Sequence, residues 1–428
     1  MSSDTKETEI EAAPAVKESA PESPPPPPPN GGLKAWVQVL GAHFLFFNSW
    51  GIVNTFGVFQ TYYESDLLAS HTSSEISWIG TFQAFLLVAF SIIGGPIFDR
   101  GYFRTLIVVG TFLCTFGIMM TSLATEYWQI FLAQGVCVGL GAGCIFLPSV
   151  ALVATYFTTK RALAIGIVAS GGSIGSVIYP IVFYRLLPRI GFPWATRVLG
   201  FITLATLAVS IVVMKARLPP PKKTRAVLDL PAFRYAPFSL FSIGLFLAFA
   251  GLYVPIFYII IYAQKHAGVS EDLSFYLLAL LNAASAFGRI IPGLLADRFG
   301  ALELTIVCSV AAAVFAYIGI AVDSLGGLIV FAILFGFVSG AVVSLPSAVV
   351  ASLVPDMHLV GTWMGMSFCF AAVGILIGSP IAGTIIHVGD NEFAGGFVFS
   401  GSLVMAAAVS FIAALWVKKA NKRKRGEK

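Results

Sequence analysis

After its first thirty residues the chain is a succession of long apolar runs, cut by short stretches of charge or by clusters of Gly and Pro. The runs fall near 35–62, 76–98, 104–124, 127–156, 162–187, 195–215, 237–263, 272–296, 303–322, 327–354, 361–387 and 395–417. Each is longer than a strand and lacks the alternation of apolar and polar positions that marks a membrane barrel, so each reads as a helix. A helix needs about 20 apolar residues to cross a bilayer, and every run reaches that length. The expected fold class is an all-α integral membrane protein of twelve transmembrane helices.

The runs repeat. Gly95-Pro96-Ile97-Phe98-Asp99-Arg100 and Gly293-Leu294-Leu295-Ala296-Asp297-Arg298 each close an apolar stretch and lie 198 residues apart, and Leu147-Pro148-Ser149 returns in the same register as Leu345-Pro346-Ser347. One unit used twice implies two six-helix bundles related by pseudo-two-fold symmetry, the build of many secondary transporters. The bundles are expected over 35–216 and 237–417, joined by a cytoplasmic linker, 217–236, that contains Pro219-Pro220-Pro221 and Lys222-Lys223. Residues 1–34, with the run from Pro24 to Pro29, read as a disordered Pro-rich arm, a solvated tail or an SH3-type ligand. No secretory signal is legible in that arm. Residues 418–428 read as a basic tail.

Composition agrees with a bilayer as solvent: 57% of residues are hydrophobic and 11% charged, against roughly 25% charged in soluble domains. Charge then orients the chain. Of 26 Lys and Arg, Arg185, Arg189, Arg197 and Lys265 fall on one side and Arg289 inside a span, which leaves 21 on the other. Basic residues favour the cytoplasmic side, so both termini are expected there. The net charge of +5 is thus a topology signal, and nucleic acid is not an expected partner. Cys114, Cys137, Cys144, Cys308 and Cys369 all lie in apolar runs without a CxxC pair, which supports neither a disulfide framework nor a metal site. The histidines His43, His71, His266, His358 and His387 are scattered, so no catalytic constellation of a membrane enzyme is legible. No cofactor and no Asn-linked glycan are expected.

The turn after the second run, Gly94 to Arg104, sets an acid and then bases on a Gly/Pro helix end, where Asp99 can cap or pair across a helix interface or simply stabilise the turn. It resembles the loop motif of the major facilitator superfamily, and its second copy strengthens the resemblance. That family implies a central cavity between two halves that rock between inward-facing and outward-facing states. By the resemblance, Asp99, Arg100, Asp297 and Arg298 are gating or conformational residues. Two further stretches are similar to the monocarboxylate transporter family, in its fungal branch: Asn30-Gly31-Gly32-Leu33-Lys34-Ala35-Trp36 before the first span, and Tyr156 to Gly171 at the turn into the fifth.

Arg289 lies well inside the eighth run, and an Arg there is costly enough to face a cavity or a partner. Its planar fork suits a carboxylate. Snorkelling to the inner surface or pairing with a loop acid is the alternative. The monocarboxylate resemblance implies a substrate-binding Arg at this place. Where that family carries an Asp one turn earlier and a Lys in the first span, this chain has Ser285 and Asn54, which puts the usual proton relay in doubt. His43 and His387 are candidates for a group that titrates near neutrality, with a hydrogen-bonded packing role as the alternative. Tyr179, Tyr253 and Asn282 complete the expected substrate-binding set of Arg289, Asn54, Asn282, Ser285, Tyr253 and Tyr179. Asn48, Gln83, Gln134, Tyr258 and Trp363 are further polar groups that line a cavity or hydrogen-bond between helices.

The reading is a monomeric secondary transporter of a small organic anion or carboxylated metabolite, with protons as a candidate coupling ion and membrane lipid as its surroundings. An exporter of a secondary metabolite or drug-like compound is the alternative, and a non-transporting nutrient sensor a further one. The plasma membrane is the expected location, with the vacuolar membrane as alternative.

Overall fold

Among the residues described by the computed structural model, 27–217, 228–386 and 393–424, ten helices are long and apolar enough to cross a membrane, and no strand is present. One of the ten, Arg161–Val213, breaks at Gly191, whose φ of 71° and ψ of 168° are non-helical, and so supplies two passes. Pro188 and Pro193 flank the break, and glycine alone adopts that backbone cheaply. The N-terminal helix Gly32–Asn54, continued by Phe56–Tyr62, supplies the remaining pass.

The passes are numbered here in chain order. The first is α1, and α2 is Ser73–Ala89 with Ser91–Asp99. Helix α3 is Phe103–Thr121 and α4 is Tyr127–Tyr156, with a π-helical stretch at Phe131–Val138. The arms of the broken helix are α5 (161–190) and α6 (192–213). Then follow α7 Ala236–Lys265, α8 Glu271–Phe299, α9 Ala301–Ile318, α10 Leu325–Leu353, α11 Val360–Ile385 and α12 Ala394–Lys424.

Most edges agree with the apolar runs, and two differ. Helix α1 begins at Gly32, inside the stretch expected to be a disordered arm. Helix α12 runs on through the expected basic tail to Lys424, where Lys419 meets Glu303 at 3.4 Å. Lys and Arg suit the last turns of a helix because they answer its dipole and lay their stems along apolar surface. Most of the arm, the centre of the linker and His387 lie outside the described residues.

Lipid is as apolar as Leu, so these helices associate through close backbone approach and interhelical hydrogen bonds. Gly51 of α1 lies against Gly175 of α5, and Ser210 of α6 donates to the Gly41 carbonyl of α1 at 2.8 Å. The second bundle repeats the device: Ser400 and Ser410 of α12 donate to the Gly251 and Leu240 carbonyls of α7, each at 2.8 Å. Between the bundles, α5 packs on α8 and α2 on α11. Those two seams hold the two bundles in register. The repeated Pro148 and Pro346 sit inside α4 and α10, beside residues that line the centre of the molecule.

Candidate functional site

Two arrangements stand out, a clamp at the basic end of the bundles and a ring-lined centre. The clamp grows from the repeated turn. Asp297 at the end of α8 accepts the backbone N–H groups of Ala162 (2.8 Å) and Leu163 (2.9 Å) at the start of α5. Asp99 at the end of α2 accepts those of Gly361 (3.0 Å) and Thr362 (2.6 Å) at the start of α11, and the Thr362 hydroxyl at 2.7 Å. The first N–H groups of a helix lack intrahelical partners and carry the positive end of its dipole, so a carboxylate is the natural cap. Each carboxylate caps a helix of the opposite bundle. Gly101 and Gly300 follow the two motifs with φ of 90° and 103°, which turns the chain sharply after each acid.

The basic partners behave differently. Arg298 is exposed, with its guanidinium carbon 5.7 Å from the Phe299 ring. Arg161, which was not among the expected gating residues, reaches across to the other bundle at this end: Nη1 donates to the Ala351 carbonyl of α10 at 3.0 Å, and Nε donates to the Phe157 carbonyl. Asn30 adds a further tie, its Oδ1 accepting the Thr158 and Thr159 N–H groups at 2.5 and 3.1 Å, while Trp36 meets Phe157 at 5.3 Å. The stretches 30–36 and 156–171 therefore touch each other beside the clamp. At the other end, Tyr184 of α5 stacks on Phe275 of α8 at 5.4 Å, and Arg185 reaches the Tyr276 hydroxyl at 3.4 Å. The bundles thus meet at both ends.

Between these closures lies a cavity of about 10 Å³, room for about one water. Its wall is aromatic and aliphatic, with Phe46, Trp50, Phe146, Phe249 and Phe368 contributed by both bundles and the hydroxyls of Ser344 and Ser347 as its polar side chains. Arg289 borders it. Its guanidinium carbon is 5.8 Å from the Phe46 ring, Nη1 donates to the Ala169 carbonyl at 2.5 Å, and Nε is buried without a hydrogen-bond partner. The side chain is 4% exposed, and among the described residues no carboxylate pairs with it. A buried cation lacking a counter-charge costs several kcal/mol unless a polar partner arrives.

The structure brings together only part of the expected set. Tyr253 is buried and stacks on Trp50, so it joins Arg289 at the centre. Ser285 lies one turn from Arg289, where its hydroxyl meets that of Ser173 across the α5–α8 seam at 3.3 Å. Tyr179 points into the first bundle instead, donating to Asn48 at 2.6 Å and meeting Thr203 at 3.0 Å. Asn54 donates to Ser176 at 2.8 Å, and Asn282 to the Leu278 carbonyl of its own helix at 3.1 Å. None of the six expected residues lines the cavity itself; Tyr253 and Arg289 reach it through their contacts with Trp50 and Phe46, and Tyr179, Asn54 and Asn282 bond elsewhere. Gln134 accepts the Tyr63 hydroxyl, and Trp363 donates to Asp229 at 2.9 Å. His43 Nδ1 donates to the Ile167 carbonyl at 2.8 Å and ties α1 to α5.

The sequence profile of the Major Facilitator Superfamily matches residues 39–316 and 243–428. An MFS-type transporter of Emericella nidulans, dbaD, is 44% identical over 412 residues, which cover 95% of this chain and 93% of that protein. The aspyridones efflux protein apdF of the same organism is 37% identical, covering 95% of this chain and 81% of its own length. The crystal structure of the human organic anion transporter MFSD10 superposes with a TM-score of 0.70 at 15% identity, over 89% of this chain and all of that one, a likeness of fold alone. The chain belongs to the Major Facilitator Superfamily and is a multi-pass membrane protein of transporter type. The expected monocarboxylate branch is narrower than these findings: the two curated relatives are named for MFS-type transport and for efflux, not for a monocarboxylate.

Proposed function

We propose that this chain exports an acidic small metabolite from the cell by alternating access, with Arg289 as the anchor for the anion. The carrying observation is the buried guanidinium with an unpartnered Nε, set against an otherwise apolar, ring-lined cavity. Such a cation is a cost while the centre is closed and is repaid when a carboxylate or phenolate takes the fork. The efflux name of a relative that covers nearly the same length supports the direction. In this reading the basic end faces the cytoplasm and the two Asp clamps form the gate on that side. Gate opening admits cargo from within, and separation at the α5–α8 aromatic contacts releases it outside. Bundle bounds of 35–216 and 237–417 suit this rocking, with the plasma membrane as the site of export.

The test is efflux from cells loaded with a fluorescent aromatic acid, comparing wild type with Arg289→Gln at equal surface expression. Faster loss in wild type than in the variant supports the reading. Equal loss from both sinks it.

A further inference from the structure

We infer that the cavity selects flat, conjugated organic anions, such as aryl carboxylates, phenolates or enolates, by seating the ring between Trp50 and Tyr253. This inference rests on the reading of the centre as the cargo site. Trp50 is on α1 and Tyr253 on α7, so the pair spans the two bundles. Their planes lie 11° apart with centroids 6.0 Å apart, a parallel stack. Any rocking that opens the centre pulls this stack apart and uncovers one face of each ring. A saturated body inserted there restores apolar contact only, whereas a flat π-system also restores the offset stacking that each face has lost.

The walls and the donors agree with that choice. Phe146 and Trp50 form a T-shaped pair, with planes 83° apart and centroids 6.0 Å apart, and Phe146 stands 65° from Phe46. Trp50 Nε1 and Arg289 Nε are both buried donors without partners. The cargo must therefore bring acceptors. No carboxylate lines the cavity, so a cationic cargo finds no counter-charge there.

The test compares 2-naphthoate with decahydro-2-naphthoate, which share the carboxylate and the carbon skeleton and differ in flatness and conjugation. Saturable flux is measured in liposomes containing the full-length chain, with protein-free liposomes as the blank, for wild type, Trp50→Phe and Trp50→Leu. Each stacking face is worth roughly two- to tenfold, so wild type should show a KM about tenfold lower for the aromatic acid. Trp50→Phe should keep most of that preference, and Trp50→Leu should cut it to about threefold or less. Equal KM values in wild type overturn the inference and leave the anion carrier standing. A preference unchanged in Trp50→Leu also overturns it, by removing Trp50 from the slot. Absence of saturable flux for both acids overturns the inference and the proposed function together. The wild-type comparison decides even where a variant fails to insert.

Discussion

Asp99 and Asp297, 198 residues apart, make one contact twice: each carboxylate caps the first turn of a helix in the other bundle, Asp99 on Gly361 and Thr362, Asp297 on Ala162 and Leu163. These contacts exist only while the basic end is closed, so their free energy biases the conformational equilibrium directly. Asn in place of Asp297 keeps the shape, removes the charge, and turns an NH₂ group toward one of the two N–H donors. A hydrogen bond to a charged group is worth about 1.5–3 kcal/mol, so Asp297→Asn should move the equilibrium toward opening at this end by roughly tenfold or more. Spin labels at the exposed positions Lys160 and Phe299 read the change as a longer-distance population. An unaltered distance distribution would show that the clamp does not set the balance.

Arg289 gives a prediction with opposite signs for stability and transport. Because the guanidinium is buried with no carboxylate pairing among the described residues, Arg289→Met removes an uncompensated desolvation cost and loses the bond to Ala169. We expect a net gain of at least about 1 kcal/mol, seen as a higher melting temperature in detergent, together with loss of anion transport. Destabilisation of the variant by a similar amount would mean that Arg289 is a structural tie.

Four glycines fix how closely the bundles meet. A methyl group at Gly95 would overlap the Gly361 carbonyl, at Gly365 the Ser91 carbonyl, and at Gly166 the Arg289 carbonyl, while at Gly293 it would lie 2.7 Å from the Ala162 carbonyl. All four obstacles are backbone atoms, which cannot swing aside. Gly166→Ala and Gly365→Ala should each cost the closed seam about 1–3 kcal/mol, the usual price of overpacking. Thiol-reagent access to a cysteine introduced at Ser347 from the basic end should rise in both variants. No rise in either would place the pivot of the motion elsewhere.

How much of this was legible before folding depended on whether a residue's meaning survives in a bilayer. The repeated turn acids Asp99 and Asp297 were legible because the motif recurs in register, and the buried placement of Arg289 because a lone charge in an apolar run has few explanations; the gating and cargo-binding roles expected of them are proposals. The direction of polar side chains was not. In water an apolar stripe marks the buried face of a helix, but helices bathed in lipid are apolar all round, so nothing distinguished the inward Tyr253 from the sideways Tyr179. The aromatic lining was hidden for the same reason: with 37 Phe in the chain, Phe146 and Phe368 look no different in sequence from the lipid-facing Phe112 and Phe201. Arg161 was read as part of a family-like stretch, and only the fold shows its reach to Ala351.

Proton-driven carriers need a group that exchanges a proton as cargo binds, and the residues lining this cavity include no carboxylate and no histidine. Ser285 stands one turn from Arg289 and bonds to Ser173, and Asn54 bonds to Ser176, so neither offers an exchangeable charge. His43 is held by the Ile167 carbonyl between α1 and α5, away from the lining. A carrier that obligatorily moves one proton with its cargo gains up to about tenfold in driving force per unit of pH gradient. We expect flux of a fully ionised sulfonate analogue of an accepted acid to stay flat when such a gradient is imposed across liposomes at constant anion concentration. The sulfonate matters, because a carboxylic acid can carry its own proton through the lipid and mimic coupling. Acceleration of sulfonate flux by the gradient would require a proton-binding group outside the cavity lining, with His43 the first to replace.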